Sequence, residues 1–490
     1  MYLKGEDMNR SAPHSAISLL AASLALFLGA TSFAQAQQPT FTPFHSNGIY
    51  SPGEKVGWTI SLPAGAVAPA ARYTYTIKTN DMDVIGTGSF DLSTGRATIE
   101  TTVDVPAMLH VTVDNATPPP SRLSVAEISQ IDNGLKALLV KNDPALRPIF
   151  AEHPDVGLVA APPIAEAAPA HVATLGAAVA PTKLQPSAAR PADFDTFWAA
   201  KLAALKKVPI RPVIASTPTT QPGVKLYTVT LDSLGSHVHG YLAKPDRKGT
   251  FPVLVIYQWA GVYPLQSSWA ANRAAEGWLV FDVDSHDMAP DQATAPLDYN
   301  TIGNNDREKC YFLDMYLRDT RALDFVSSLP SWDRKTIVVT GTSMGGQQSL
   351  VTAGLNPGRI SAVVVNEPSG ADSNGELHGR KIGYPFWPAS NPDVANTALY
   401  FDTVNFASRI KAPTLLAVGF IDSVVLPAGL WTAFNQIPGP KEVVPLVESD
   451  HNNLTPDKQG AYLQRSEEVL ATILHGGQFI PNEELSRPKP

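Results

Sequence analysis

The chain has 490 residues, 44% of them hydrophobic and 17% charged, which is the balance of a globular protein rather than a disordered one. That length exceeds one ordinary domain, and a net charge of −8 excludes a basic footprint for nucleic acid or anionic lipid. Cys310 is the only cysteine, so no intrachain disulfide can form.

Lys4 and Arg10 precede an apolar run from Ala16 to Leu28, and Ala34-Gln35-Ala36 follows as a small-x-small cleavage site. Residues 1–36 therefore read as a signal peptide, with the mature chain starting near Gln37. Glu6 and Asp7 weaken the basic start, but initiation at Met8 would remove them. The run is short for a retained anchor, and no later stretch is apolar enough to span a bilayer. An exported protein is expected, periplasmic or extracellular, with no stable membrane insertion after cleavage.

Residues 37–115 contain short alternating runs broken by turn residues, such as Lys55 to Ile60, Arg72 to Ile77 and Ala97 to Val103. The spacing predicts a small immunoglobulin-like β-sandwich. Residues 116–190 turn Ala/Pro-rich and read as a linker, with a helix expected between Ile128 and Phe150.

From Pro191 to about 480 the pattern becomes α/β. Phe194, Phe197, Trp198, Leu202 and Leu205 share one helical face. Strands are expected at Lys225–Leu231, His237–Leu242, Val253–Tyr257, Trp278–Val283, before Ser343, and at Ile360–Val365, Thr414–Gly419 and Glu442–Val447. Several are unbroken apolar runs, as in parallel strands covered on both faces. Helices are expected at Phe312–Leu329 and Ala461–Leu474. Eight strands with interspersed helices, mostly parallel, predict an α/β-hydrolase fold.

The β-branched run Thr336 to Thr340 leads into Gly341-Thr342-Ser343-Met344-Gly345-Gly346 and then a helix-forming segment. Strand, sharp turn and helix with serine at the apex form a nucleophile elbow, which lifts the hydroxyl clear of the sheet. A serine needs a base, and the base needs a carboxylate to orient it. In this fold the order along the chain is nucleophile, acid, base. After Ser343 only His378, His451 and His475 remain. His475 ends the last helix, His378 lies in a polar loop, and His451 directly follows the last strand, so His451 is taken as the base. Asp422, after the strand Thr414–Gly419, is taken as the acid. Asp450 is its rival, and Glu367 and Asp372 are alternatives for substrate binding. The oxyanion donors are assigned to the backbone N–H of Met344 and to one N–H within Trp259 to Val262, with Val262 chosen.

These pieces resemble the acetyl xylan esterase / cephalosporin C deacetylase family of carbohydrate esterases. The likeness rests on Pro191 to Trp198, Tyr316 to Asp324, Gly419 to Asp422 and Ala433-Phe434-Asn435, and extends over about residues 175–475. It implies the triad Ser343, Asp422 and His451. The sequence departs from that family at Met344, where Gln is usual, at His286-Asp287-Met288 in place of Arg-Gly-Gln, and at Asn452 after the base. These departures point to a divergent branch, similar to secreted bacterial forms with an extra N-terminal β-domain.

Four further features carry bland readings beside functional ones. Cys310 reads as a core residue at a helix start, and His286 as held by Asp287 or a carbonyl. His237 and His239 form an imidazole pair on one strand face without an evident third ligand, so no metal is assigned. The run Tyr384-Pro385-Phe386-Trp387-Pro388 is either a wall for sugar or acyl group or a core-packed loop. The expected activity is deacetylation of carbohydrate, with acetylated xylan or xylo-oligosaccharide as partner and no cofactor. A serine peptidase, a general short-chain carboxylesterase and a non-catalytic glycan-binding protein remain the alternatives.

Overall fold

The computed structural model describes residues 38–66, 72–116, 170–452 and 455–485. The expected signal segment and the helix expected between Ile128 and Phe150 lie outside the described residues.

The N-terminal strands are β1 (Thr40–Pro43), β2 (Ile49–Tyr50), β3 (Lys55–Ser61), β4 (Arg72–Thr79), β5 (Asp83–Asp91), β6 (Arg96–Thr102), β7 (Ala107–Asn115) and β8 (Ala170–Val179). They make a three-stranded sheet, β1-β3-β6, and a five-stranded sheet, β2-β8-β7-β4-β5. Alternate residues Val56, Trp58, Ile60, Ile99, Leu109, Val111 and Val113 fill one core between them. One strand differs from the sequence reading. Residues 170–179, assigned to the linker, form β8, whose antiparallel ladder on β7 runs from Ala107↔Val179 to Asn115↔Ala170. Its sequence, AHVATLGAAV, is built of small residues that read as linker. Tertiary packing overrides that weak propensity.

The remaining elements, in chain order, are α1 (Phe194–Lys206), β9 (Val213–Thr217), β10 (Val224–Asp232), β11 (His237–Pro245), β12 (Phe251–Tyr257), α2 (Ser267–Glu276), β13 (Leu279–Val283), α3 (Tyr311–Ser328), β14 (Trp332–Thr342), α4 (Met344–Leu355), β15 (Ala362–Asn366), α5 (Pro392–Ala398), α6 (Thr403–Ala407), β16 (Thr414–Gly419), α7 (Pro427–Gln436), β17 (Lys441–Leu446) and α8 (Pro456–Leu474). The strands form one sheet in the order β17-β16-β15-β14-β12-β13-β11-β10-β9. Pairing is parallel from β13 to β17 and antiparallel from β9 to β11 and between β11 and β13. Eight strands were expected. The ninth, β9, is an exposed edge strand with no buried residue, so it has no apolar pattern to announce it.

The central strands explain themselves. Every residue of β13, β15 and β16 is buried, because helices cover both faces. Leu254, Val280, Val338, Val364 and Leu415 pack beneath α2 and α8. Val255, Phe281, Val339, Val365 and Leu416 point to the other face, under α3, α4 and α7. The period-two alternation of a strand sorts each apolar run between the two layers.

The sandwich sits against the carboxyl edge of this sheet. Met108 and Ala178 belong to the same core as Phe420 and Val425. Gly176 of β8 approaches Phe420 so closely that a Cβ there would lie 2.7 Å from the Phe420 carbonyl oxygen. The turn at Asn80 and Asp81, both in the left-handed region, takes hold of the loop after Asn374. Asn80 O accepts from Lys381 N at 3.1 Å, and Asp81 pairs with the Lys381 ammonium.

Candidate active site

Ser343 occupies the turn between β14 and α4 with φ 56° and ψ −123°, a strained conformation for a residue with a side chain. The two flanking glycines allow it. A Cβ at Gly341 would meet Gly345 C at 2.4 Å, and one at Gly345 would meet Tyr257 O at 2.1 Å. Ser343 N donates to Asn366 O at 3.0 Å, which fixes the elbow to the neighbouring strand.

The structure brings Ser343, His451 and Asp422 into one hydrogen-bonded chain. His451 Nε2 lies 2.9 Å from Ser343 Oγ, and His451 Nδ1 lies 2.7 Å from Asp422 Oδ2. The other carboxylate oxygen of Asp422 accepts from Val424 N at 2.8 Å and Val425 N at 2.7 Å, so both oxygens of this carboxylate are held. Burial alone would depress the imidazole pKa. The hydrogen bond and charge of Asp422, with smaller help from Glu367 and Asp450, outweigh it, and the net shift is upward.

Glu367 was weighed from sequence only as a substrate ligand; the structure places it against this chain. One carboxylate or imidazole atom each of Glu367, Asp422 and His451 lie within 4.8 Å of one another. Glu367 Oε1 accepts from Ser449 Oγ at 3.0 Å and Gln459 Nε2 at 3.3 Å, while Oε2 is buried without a hydrogen-bond partner. Burial, reinforced by the Asp422 charge, pushes its carboxyl up to about 7. Its place just after β15, one strand over from Asp422, is the signal that sequence held for it.

The other candidates are accounted for by their contacts. Asp372 pairs with Arg380 at 2.8 Å and accepts from Ser187 N and Oγ, which ties the chain ahead of α1 to the loop after β15. His475 is the C-cap of α8, and His378 is exposed in a short turn of 3₁₀ helix. Asp450 Oδ1 accepts from Asn452 N at 2.8 Å. Cys310 is buried at the N-cap of α3, where burial pushes its thiol up to about 12 and removes it as a nucleophile.

His286 makes no bond to Asp287. Its Nδ1 lies 2.8 Å from Tyr311 Oη and its Nε2 3.0 Å from Gly261 O. Burial drives its pKa down to about 4, so it is a neutral strut under the loop that follows β12. In that loop Gly261 N donates to Tyr299 Oη at 3.0 Å, which commits that amide. Ala260 and Val262 pack against the cluster that contains Met344. Gln348 of α4 joins this loop to the elbow, donating to Gln258 O at 2.9 Å and Ser285 Oγ at 2.8 Å.

Two further expectations are refined by the coordinates. Asp287 supplies the third ligand-type group that sequence reading lacked for the imidazole pair. Its Oδ1 lies 3.0 Å from His239 Nε2 and 3.4 Å from His237 Nδ1. The run after Gly383 splits in two. Trp387 is core, stacked on Phe312, whereas Phe386 is 50% exposed and edge-on to Tyr384.

The model of the acetyl xylan esterase (AXE1) family matches residues 182–374 and 386–466, more than half of the chain. The chain belongs to the acetyl xylan esterase family. Among its relatives is acetyl esterase Axe7A of Xylanibacter ruminicola, 34% identical over 283 residues. That match covers 54% of this chain and 64% of the relative, so the chain spans less than two thirds of that protein's length. Among solved structures, an acetyl xylan esterase from Paenibacillus sp. R4 is 27% identical with a TM-score of 0.52, covering 59% of this chain and 98% of its own. Acetyl xylan esterase 1 from Thermoanaerobacterium sp. JW/SL YS485 shares the fold at 22% identity and TM-score 0.51, with coverage of 59% and 97%.

Within the family, the departure at Met344 has a structural account. Its side chain is fully buried, and its sulfur accepts from Tyr384 Oη at 3.4 Å and Tyr299 Oη at 3.6 Å. The two hydroxyls are 2.7 Å apart. A thioether bridging two phenols thus occupies the position after Ser343, and the backbone N–H there is left free of the side chain's contacts.

Proposed function

We propose that this protein is a serine esterase that removes acetyl groups from carbohydrate, with Ser343 as nucleophile, His451 as base and Asp422 as the orienting acid. The observation that carries the reading is the unbroken chain Ser343 Oγ, His451 Nε2, His451 Nδ1, Asp422 Oδ2, at 2.9 and 2.7 Å, set on a strained elbow. Membership of the acetyl xylan esterase family supports the acyl group, and an acetylated xylan or xylo-oligosaccharide is the substrate proposed.

His451 takes the Ser343 proton as Oγ attacks the acetyl carbonyl. The negative charge on the carbonyl oxygen is stabilised by the Met344 N–H at the start of α4 and by a second amide from the loop after β12, assigned to Val262. Collapse expels the sugar alcohol, which receives the proton from His451. Water, deprotonated by the same imidazole, then attacks the acetyl-serine, and acetate leaves as Ser343 regains its proton. The raised pKa of His451 makes it a stronger base, and buried Asp422 stabilises the imidazolium formed at each step. Phe386, half exposed on the loop that carries Tyr384, is suited to packing against a sugar ring.

The reading extends to location: the basic start, apolar run and Ala34-Gln35-Ala36 site support export, and among the described residues no helix is long and apolar enough to cross a membrane. The test is release of acetate from acetylated xylan, acetylated monosaccharides and p-nitrophenyl acetate, beside peptide anilides, by the parent and by Ser343→Ala. Acetate release that Ser343→Ala reduces by at least about a thousandfold is expected. Undiminished hydrolysis in the variant, or turnover of the anilides alone, rejects the proposal.

A further inference from the structure

Among the described residues and outside the esterase site, His237, His239 and Asp287 have the composition and spacing of a metal centre. His237 and His239 point to the same side of β11, two residues apart, as a strand requires. Asp287 reaches them from the segment after β13, which is the antiparallel neighbour of β11. Pairing continues past the ladder, with Asp284 N donating to His239 O at 2.9 Å, so the register itself brings residue 287 beside residues 237 and 239.

We propose that His237, His239 and Asp287 bind a divalent transition-metal ion of the Zn²⁺ type, with a fourth coordination position open to solvent. Two imidazoles and a carboxylate are a donor set that suits zinc. The spacing fits as well. Bonds of about 2.0–2.1 Å around a tetrahedral ion put neighbouring donor atoms about 3.3 Å apart. Asp287 Oδ1 is 3.0 Å from His239 Nε2 and 3.4 Å from His237 Nδ1, and one donor atom from each residue falls within 4.8 Å of the others. Little movement would convert the arrangement into a coordination shell, with an ion taking the place of the proton now held between His239 Nε2 and Asp287 Oδ1.

The surroundings support the same use. Thr230 Oγ1 on β10 lies 3.3 Å from His239 Nδ1. A proton on that nitrogen, donated to Thr230, leaves the Nε2 lone pair facing the cluster, which is how ligating imidazoles are commonly held. His237 is half exposed and Asp287 a third exposed, so an ion can enter without unfolding. The charge of Arg318 reaches Asp287, but its guanidinium is engaged elsewhere, donating to Ser285 O at 2.7 Å and lying over the Tyr311 ring. Two ligands from β11 and one from the segment after β13 would clamp that segment, which carries His286, whose Nε2 meets the Gly261 carbonyl of the loop after β12. The role proposed is therefore a strap that stiffens this loop, chemically separate from the serine site.

The test uses the full chain after dialysis against a chelator. Zn²⁺ is titrated calorimetrically, and Co²⁺ is added as a spectroscopic probe. The expected result is one ion per chain, a visible Co²⁺ spectrum of four-coordinate intensity, and a thermal midpoint raised by Zn²⁺. His239→Ala and Asp287→Asn should each weaken binding by at least about tenfold and abolish the thermal shift. His237→Gln gives a third, more conservative variant should either of these fail to fold. Absence of stoichiometric binding overturns the proposal. So does binding that persists in the variants or that inhibits esterase turnover in parent and variants alike, since the ion would then sit elsewhere, as at Glu367, Asp422 and His451.

Discussion

Replacing Glu367 by Gln should stabilise the protein at alkaline pH and do little at acid pH. The ordinary carboxyl pKa of 4.5 is pushed up to about 7 in the fold, first by burial and then by Asp422. A raised folded pKa means that the native state holds this proton more tightly than the unfolded chain does. Its contribution is fully present below 4.5 and is lost as pH rises through 7. The difference, 7 − 4.5 = 2.5, at 1.36 kcal/mol per unit, is on the order of 3 kcal/mol. A glutamine keeps the shape and cannot ionise. Its carbonyl can retain Ser449 and Gln459, and its amide takes the position of the partnerless Oε2. Urea unfolding of parent and Glu367→Gln at about pH 4.5 and about pH 8.5 should show the variant's relative stability rising by up to about 3 kcal/mol at the higher pH. A relative stability equal at both values, or lower at the higher one, would refute the argument, because Glu367 would then be ionised and useful in the native state. The same substitution removes a charge that raises the His451 pKa, so the acidic limb of kcat/KM should move to lower pH.

Asp422→Asn should leave the fold intact yet lower kcat on p-nitrophenyl acetate by about 10³–10⁴, because the imidazole would be held in the wrong tautomer; a loss under about tenfold would remove Asp422 from the triad. Gly345→Ala places a Cβ 2.1 Å from Tyr257 O and 3.2 Å from Gln258 O, backbone atoms that cannot swing aside. It should destabilise by about 3 kcal/mol or more, and an unchanged thermal midpoint would count against the elbow geometry. Gly176→Ala pushes on Phe420, two residues before Asp422. A stability loss of about 1–3 kcal/mol is expected, together with a fall in kcat larger than any change in KM. Normal kcat at normal stability would mean that the sandwich does not bear on the acid.

What could be read in the sequence was whatever local physics enforces. The elbow needs glycines at 341 and 345 for steric reasons, and the strands buried on both faces need unbroken apolar runs, so both leave marks in the order of residues. The order nucleophile, acid, base then placed Asp422 and His451 at strand ends without any structure. What stayed hidden was long-range. Glu367 lies beside Asp422 because β15 and β16 are neighbours, and Asp287 reaches His239 through the pairing of β11 with β13. Neither pairing has a local signature. Strand β9 escaped because an edge exposed to solvent needs no apolar alternation, and β8 because its alanines and glycine are poor strand formers, Gly176 being required by the close approach to Phe420.

Strand β8 also means that the physical seam of this molecule is not the seam of its sequence. The last strand to enter the sandwich's larger sheet is made after residues 117–169 and leads directly into the segment that opens the α/β unit. A chain cut anywhere in 117–169 would therefore not release a separable N-terminal module. It would yield two polypeptides zipped together along the β7–β8 ladder, a non-covalent heterodimer in which each fragment holds part of the other's core. During synthesis, likewise, the sandwich cannot close until Val179 has left the ribosome, so its completion is timed by the arrival of its neighbour rather than by its own length.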